Sequence, residues 1–418
     1  MDKMIVTPEV DPNGRYARAI FNSGADPVEW QMPEDYGPGF SNDGSSNFAA
    51  LATVPFAMAQ GRDIHIRGQV CPILLSNLER IVINRAAFHP RAFKRIRITA
   101  DETDYVKPYN HKGPHIAAFS GGVDATYCIG KNAENTSSYT HRPVGAAVTI
   151  RGFGYDIDGE DDFERARMKA TTLAKRYGFD AYAMICNAAG LATRSFGVKK
   201  FSGYQNSHPM FIASCLSLFS EKFAGALFAA DYSYLDESDI LKWPSHSVVH
   251  PLLSSSGFPI NAVGAEVGRS EKLSFLHEND LLADIVLCHK SRDLDKNCGK
   301  CAKCKRTIMM CLSRDIDPTD LFHEIPNEDE LVNDELIKFT EFAFSKSTLR
   351  YWESSDHKQL REQVWEEVTK YAEEDMKKSV RRMRRKIGPV PQVQNAPPKS
   401  GINVTGLKRK LVNLFQRN

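Results

Sequence analysis

Residues 115–130 constrain this chain more than any other stretch. His115-Ile-Ala-Ala-Phe119 is an apolar run of strand length, and Asp124-Ala-Thr-Tyr-Cys-Ile-Gly130 can start a helix. Between them stand Ser120, Gly121, Gly122 and Val123. Two glycines let the backbone turn tightly, so that successive N–H groups converge on an anion. The helix start adds a partial positive charge at the same point. Such a turn suits phosphate; an ordinary strand-to-helix turn capped by Asp124 uses the same residues.

The segments that follow alternate between strand and helix patterns. Val144–Ile150, Asp180–Cys186 and Gly225–Ala230 read as buried strands. Asp162–Tyr177, stopped by Gly178, and Pro209–Phe219 have helical periodicity. This alternation predicts an α/β fold with a parallel sheet covered on both faces, and ligands beyond the carboxyl ends of its strands. Upstream, Arg15–Phe21, Asp63–Arg67 and Arg95–Thr99 read as strands, and Asn47–Met58 and Cys71–Phe88 as helices. The expected organisation is an N-terminal α/β module over 1–112, a nucleotide-binding core over 113–315, a helical region over 316–387, and a linker with a basic amphipathic tail over 388–418.

Cys288, Cys298, Cys301 and Cys304 form the second constellation. The two-residue gaps among the last three let their thiolates face one centre, and the first returns from a longer loop. Four thiolates suit a tetrahedral Zn²⁺ and leave two negative charges on the site; Lys296, Lys300, Lys303, Lys305 and Arg306 are at hand to offset them. An iron–sulfur cluster or a disulfide pair uses the same residues. The other five cysteines read as small buried hydrophobes.

The run Ser120-Gly121-Gly122-Val123-Asp124 resembles the PP-loop of the ATP pyrophosphatase superfamily, Ser-Gly-Gly-x-Asp-Ser/Thr. Ala125 stands where that pattern has a hydroxyl, and Thr126 follows one position later. Together with the late Cys-x(n)-Cys-x2-Cys-x2-Cys, the chain is similar over about residues 113–312 to the 7-cyano-7-deazaguanine synthase (QueC) family. The resemblance implies a PP-loop core that binds ATP and Mg²⁺, releases pyrophosphate and leaves an adenylated carboxylate for a nitrogen nucleophile. It also implies a structural zinc near a deazapurine pocket. On this reading residues Ser120 to Thr126 hold the phosphates, Asp124 lies near the magnesium, and Arg151, Gly152 and Phe153 seat the adenine. Arg269 and Lys272, three apart on one helix face, would stabilise the charge on departing pyrophosphate. Such enzymes are shorter, so the N- and C-terminal extensions suggest a protein acceptor, as in QueC-like proteins of bacterial anti-phage gene clusters, a dimer surface, or a cover for the site.

Other readings stay open. Asp231, Tyr232, Ser233 and Tyr234 follow the fourth core strand and either line a substrate pocket or form a polar loop. His208, His246 and His250 read first as hydrogen-bonded structural residues. Asp356–Lys386 reads as one charged helix whose basic end, Lys377 to Lys386, is either solvated or a nucleic-acid contact. RNA thiolation and a non-catalytic ATP-binding scaffold are the competing functions. A net charge of +2, from 54 basic and 52 acidic residues, favours no partner class. No apolar stretch reaches membrane-span length, and a cytoplasmic enzyme is the expectation.

Overall fold

Ten strands form one sheet in the order β10-β9-β6-β7-β8-β3-β2-β1-β4-β5. They are β1 Met4–Val10, β2 Tyr16–Phe21, β3 Val28–Gln31, β4 Ile64–Gln69, β5 Ile98–Glu102, β6 His115–Ala118, β7 Val144–Arg151, β8 Asp180–Cys186, β9 Ala226–Ala229 and β10 Ile260–Val263. This computed structural model describes all residues except 1–2, 104–106, 109–112, 134–137, 139, 154–160, 197–204, 239, 241, 289–295, 333–338 and 388–418. The side chains of 161–162, 339–341 and 379–387 are also outside the description. The linker and the amphipathic tail expected over 388–418 therefore lie outside the described residues.

The chain divides into two units, Met1–Val368 and Thr369–Asn418. In the first, six of the nine strand pairings are parallel; the antiparallel ones are β1·β2, β2·β3 and β3·β8. The fold is thus mixed α/β with a mostly parallel sheet. The first hundred residues, expected as a module of their own, continue the same sheet. The join is short: Trp30 pairs Cys186 and Gln31 pairs Ile185. Asn187 reinforces it, accepting from Glu29 N at 2.9 Å and donating to Pro27 O at 3.1 Å.

Successive side chains of a strand face opposite sides, and the core divides accordingly. Ile116, Val148 and Phe228 pack with α1 (Asn47–Gln60), α2 (Pro72–Phe88) and, further on, α5 (Ala188–Ser195) and α6 (His208–Ser217). Ala117, Ala147 and Leu227 pack on the other face with α3 (Val123–Ala133), α4 (Asp161–Tyr177), α8 (Arg269–Glu278) and α9 (Ala302–Leu312). The short helices α7 (Tyr234–Glu237) and α10 (Glu328–Leu331) lie in connections, α11 spans Phe339–Arg350, and α12 spans Lys358–Ile387. Leu360, Val364 and Val368 of α12 are buried in the first unit.

The described part of the second unit is the rest of α12. Its Lys377 and Lys378 pair one turn back with Glu373 (4.0 Å) and Glu374 (3.7 Å), all well exposed. Such pairs contribute only tenths of a kcal/mol. Both lysines sit as a solvated helix face.

Strand order decides where a ligand fits. From β6 the chain steps out to β7 and β8 on one side, then returns to β9 and β10 on the other. The carboxyl ends of β6 and β9 therefore border a switch point, where the connecting loops diverge and leave a crevice.

Candidate nucleotide site and four-cysteine centre

A cavity of about 360 Å³ opens at that crevice, within the range of small-molecule sites. Its floor is the ends of the central strands, Ala118 of β6, Val148 and Ile150 of β7, and Phe228 and Ala229 of β9. One wall is the glycine turn, with Ser120, Gly122, Val123, Asp124 and Ala125. Gly121 has φ 72°, and a Cβ there would come within 3.0 Å of Val286 Cβ. Only glycine meets both conditions without a shift. Val286 N–H donates to Gly121 O at 2.6 Å, fixing the turn against the segment that leads to Cys288.

Asp124 is held by two cations. Arg269 Nη2 donates to Asp124 Oδ2 and Arg269 Nε to Oδ1 at 3.3 Å; Lys272 Nζ donates to Oδ1 at 3.0 Å. Burial works to raise the Asp124 carboxyl, but the charges and hydrogen bonds of Arg269 and Lys272 hold it below the usual carboxylate range. Burial likewise opposes the Arg269 guanidinium, and Asp124 raises it. The two expected phosphate cations then differ. Arg269 lines the cavity, whereas Lys272, 1% exposed, is spent on Asp124 and on Ala230 O at 2.6 Å and is not part of the wall. Its role in this arrangement is to anchor Asp124.

The other expected residues also separate. Ala125 lines the cavity with its methyl group, while the Thr126 hydroxyl is buried behind it without a hydrogen-bond partner. Any phosphate contact at that point therefore falls to backbone N–H groups. Phe153 lines the cavity; Arg151 does not, and its guanidinium lies 5.9 Å from the Phe163 ring centre. Gly152, at φ 105°, turns the chain between them. Asp231 lines the cavity and accepts from Trp243 Nε1 at 2.9 Å. Tyr232, Ser233 and Tyr234 do not line it. Tyr232 stacks on Phe344, Ser233 caps α7, and Tyr234 is exposed.

The four cysteine sulfurs lie within 4.8 Å of one another. Cys298 to Cys304 is 3.7 Å and Cys301 to Cys304 is 3.4 Å, close to the ~3.8 Å edge that a tetrahedron with 2.3 Å metal–sulfur bonds requires. All nine cysteines are free, and these separations are far beyond a disulfide bond. The four thiolates can hold a metal such as zinc. Gly299, at φ 77°, permits the knuckle: a Cβ there would lie 1.8 Å from Glu324 O. Asn297 ties the loops together, accepting from Leu287 N at 2.8 Å and donating to Ile285 O and Leu321 O.

Of the neighbouring cations expected to offset the cluster's charge, Lys300 and Lys303 feel the cysteines, and Lys296, Lys300 and Lys305 have other partners as well. Lys300 pairs with Glu324 in solvent, Lys296 reaches Thr319 O and Lys305 reaches Glu330 O. Arg165, 2% exposed and inconspicuous in the sequence, donates to Asn297 Oδ1 at 3.2 Å beside the cluster. Lys303, Arg306 and Thr307 line the cavity, and Lys303 also feels the charge of Cys301 and Cys288. The four-cysteine cluster thus seats the start of α9, and α9 supplies a second cationic wall. The sequence holds the clue: three residues at positions i, i+3 and i+4 on one helix share a face.

Arg269 and Arg306 both stack on Phe344 of α11, at 4.2 and 3.9 Å from its ring centre. Buried Asp236 locks α11 in place through Ser347 Oγ (2.7 Å) and Arg350 Nη1 (2.5 Å). The cavity therefore has a cationic end, with Arg269, Lys303 and Arg306, and an apolar slot, with Ile150, Phe153, Ile212 and Phe228. His208, Ser245 and Asp231 complete the polar lining, and Asp231 O accepts from Arg269 Nη2 at 3.2 Å. The three histidines are hydrogen-bonded, as expected: His208 to Gln205 O, His250 to Ser245, and His246, whose Nδ1 accepts from Val248 N–H at 3.4 Å and lies 3.2 Å from Glu237 Oε2.

No family model, no curated protein and no solved structure matches this chain. No helix among the described residues is long and apolar enough to cross a membrane.

Proposed function

We propose that this chain is an ATP-dependent, PP-loop-type enzyme that adenylates a carboxylate, releases pyrophosphate and passes the acyl group to a nitrogen nucleophile. One observation carries this reading. A strand–glycine–glycine–helix turn opens at the sheet's switch point into a cavity whose adjoining wall bears Arg269, Lys303 and Arg306. Backbone N–H groups at the start of α3 lack intrahelical acceptors and suit phosphate oxygens. Arg269 and Arg306 suit the charge that builds as pyrophosphate departs, because stacked guanidiniums need no reorganisation during reaction. Asp124 is the carboxylate that would hold Mg²⁺, in exchange for its ion pairs with Arg269 and Lys272, and the ion would supply positive charge to offset that of the phosphates. The cysteine centre holds α9 and so positions Lys303 and Arg306; its role is structural.

Phe153 is left to the adenine, and a flat carboxylated heterocycle, a 7-deazaguanine derivative, suits the lining around Phe228 and Ser245. The acceptor is ammonia, giving amide or nitrile, or a protein amine, giving a conjugate. The test is incubation of the full chain with Mg-ATP and 7-carboxy-7-deazaguanine, with ammonium or with candidate proteins. Pyrophosphate release and a matching mass gain are expected. A chain that binds ATP yet releases no pyrophosphate with any carboxylated deazapurine or protein would be a scaffold, and the enzyme reading would fall.

A further inference from the structure

Ser245 is 1% exposed, yet it lines the cavity, with its Oγ 3.0 Å from His250 Nε2. His250 is fully buried, its ring centre 4.4 Å from that of Phe228, and its Nδ1 has no hydrogen-bond partner. Burial, with the charges of His208 and His246 adding, pushes His250 down to about 3, so the ring is neutral at ordinary pH. A neutral imidazole carries one proton. A buried N–H without an acceptor is rarer than a bare lone pair, which assigns the proton to Nε2 and the empty position to Nδ1. His250 then donates to Ser245, and the serine proton is left to point into the cavity.

This arrangement is not that of a nucleophile. An activated serine needs its base to accept the proton, and a third group to orient that base; Nδ1 has no such group. Asp231 lines the same cavity, next to Arg269, whose Nη2 donates to Asp231 O at 3.2 Å. Its Oδ2 accepts from Trp243, two residues before Ser245, and its Oδ1 makes no hydrogen bond among the described residues.

We propose that Ser245 and Asp231 form a two-point reader, donor and acceptor, for the lactam edge (C=O beside N–H) of a flat heterocycle lying against Phe228, the ring next to His250. The proposal rests on the ATP reading only in assigning the cationic end of the cavity to phosphate. Ser245 and Asp231 are thus specificity-determining residues, and His250 is a positioning residue.

The test is calorimetric titration of the full chain with hypoxanthine, which has the lactam edge, and with purine, which lacks the oxygen. The wild type is expected to favour hypoxanthine by about tenfold, the worth of one or two hydrogen bonds. Ser245→Ala and Asp231→Asn should each bring that preference to within about twofold, while Ser245→Thr keeps it. General loosening of the slot would weaken both bases equally and leave the ratio alone. A wild type without the preference overturns the proposal, as does a Ser245→Ala chain that retains it. Should Ser245→Ala fail to fold, Asp231→Asn decides. Mg-ATP is titrated separately, so failure to bind it would sink the ATP reading and not the reader.

Discussion

Replacing Asp124 by Asn keeps the shape of the side chain and removes its charge, and the structure sets the cost. Asp124 is 14% exposed, Arg269 11% and Lys272 1%, and both cations take their ion pair from this one carboxylate. Breaking a buried pair by deleting one partner costs about 3–5 kcal/mol, because the remaining charge is left without compensation. In Asp124→Asn the Lys272 ammonium keeps Ala230 O but loses its counter-charge, and an amide N–H faces Arg269 donors. We expect a loss of about 3 kcal/mol. The assay is thermal or denaturant unfolding of a double-mutant cycle with Lys272→Met. If the uncompensated ammonium is the cause, Asp124→Asn/Lys272→Met will be no less stable than Asp124→Asn alone.

The pH dependence follows with a definite sign. The folded carboxyl lies below its unfolded value, so its contribution is present above the usual carboxylate range and is lost as pH falls through the folded value. The wild-type and Asp124→Asn stability curves should therefore converge as pH drops below about 4. Single-site loss under about 0.5 kcal/mol, the scale of an ordinary surface substitution, or curves that stay parallel into acid, would refute the reasoning.

The metal centre makes two further predictions. Purified chain should carry about one zinc, lost in Cys301→Ser with a fall in melting temperature; a brown, visibly absorbing preparation would point to iron instead. Gly299→Ala drives a methyl group into Glu324 O and should lower zinc retention on dialysis against chelator, an outcome that full retention would contradict. At the glycine turn, Gly121→Val sets a branched side chain against Val286 at a positive φ, which should abolish Mg-ATP binding by calorimetry while the four cysteines still retain metal. Ala125→Ser restores a hydroxyl to the cavity wall, and an ATP affinity equal to or above that of the wild type is expected; a tenfold loss would mean the turn has no room for it.

Much of the core was legible because its signals are local. β7, β8 and α4 follow the apolar runs and the Gly178 stop almost residue for residue, and the spacing of Cys298, Cys301 and Cys304 suits the sulfur cluster that Cys288 completes. What escaped depends on partners distant in sequence. β3 and β10 are four-residue strands whose pairing with β8 and β9 no local pattern announces. Arg269 and Lys272 share a helix face, as their spacing requires, but their fates differ because Ala230 O lies within reach of one and the cavity of the other. The Ser245–His250 pair sits in a connection where both residues look like ordinary loop polarity. Burial, not spacing, distinguishes them.

The short antiparallel seam between β3 and β8 bears on how far the chain can be trimmed. A truncation beginning at residue 113 would strip β8 of its neighbour and bare a row of backbone donors and acceptors beside Cys186 and Ile185. Such a rim invites another polypeptide to pair with it. The leading hundred residues therefore act as a selvedge, and a shortened version would clump unless a charge or a proline were stitched into β8.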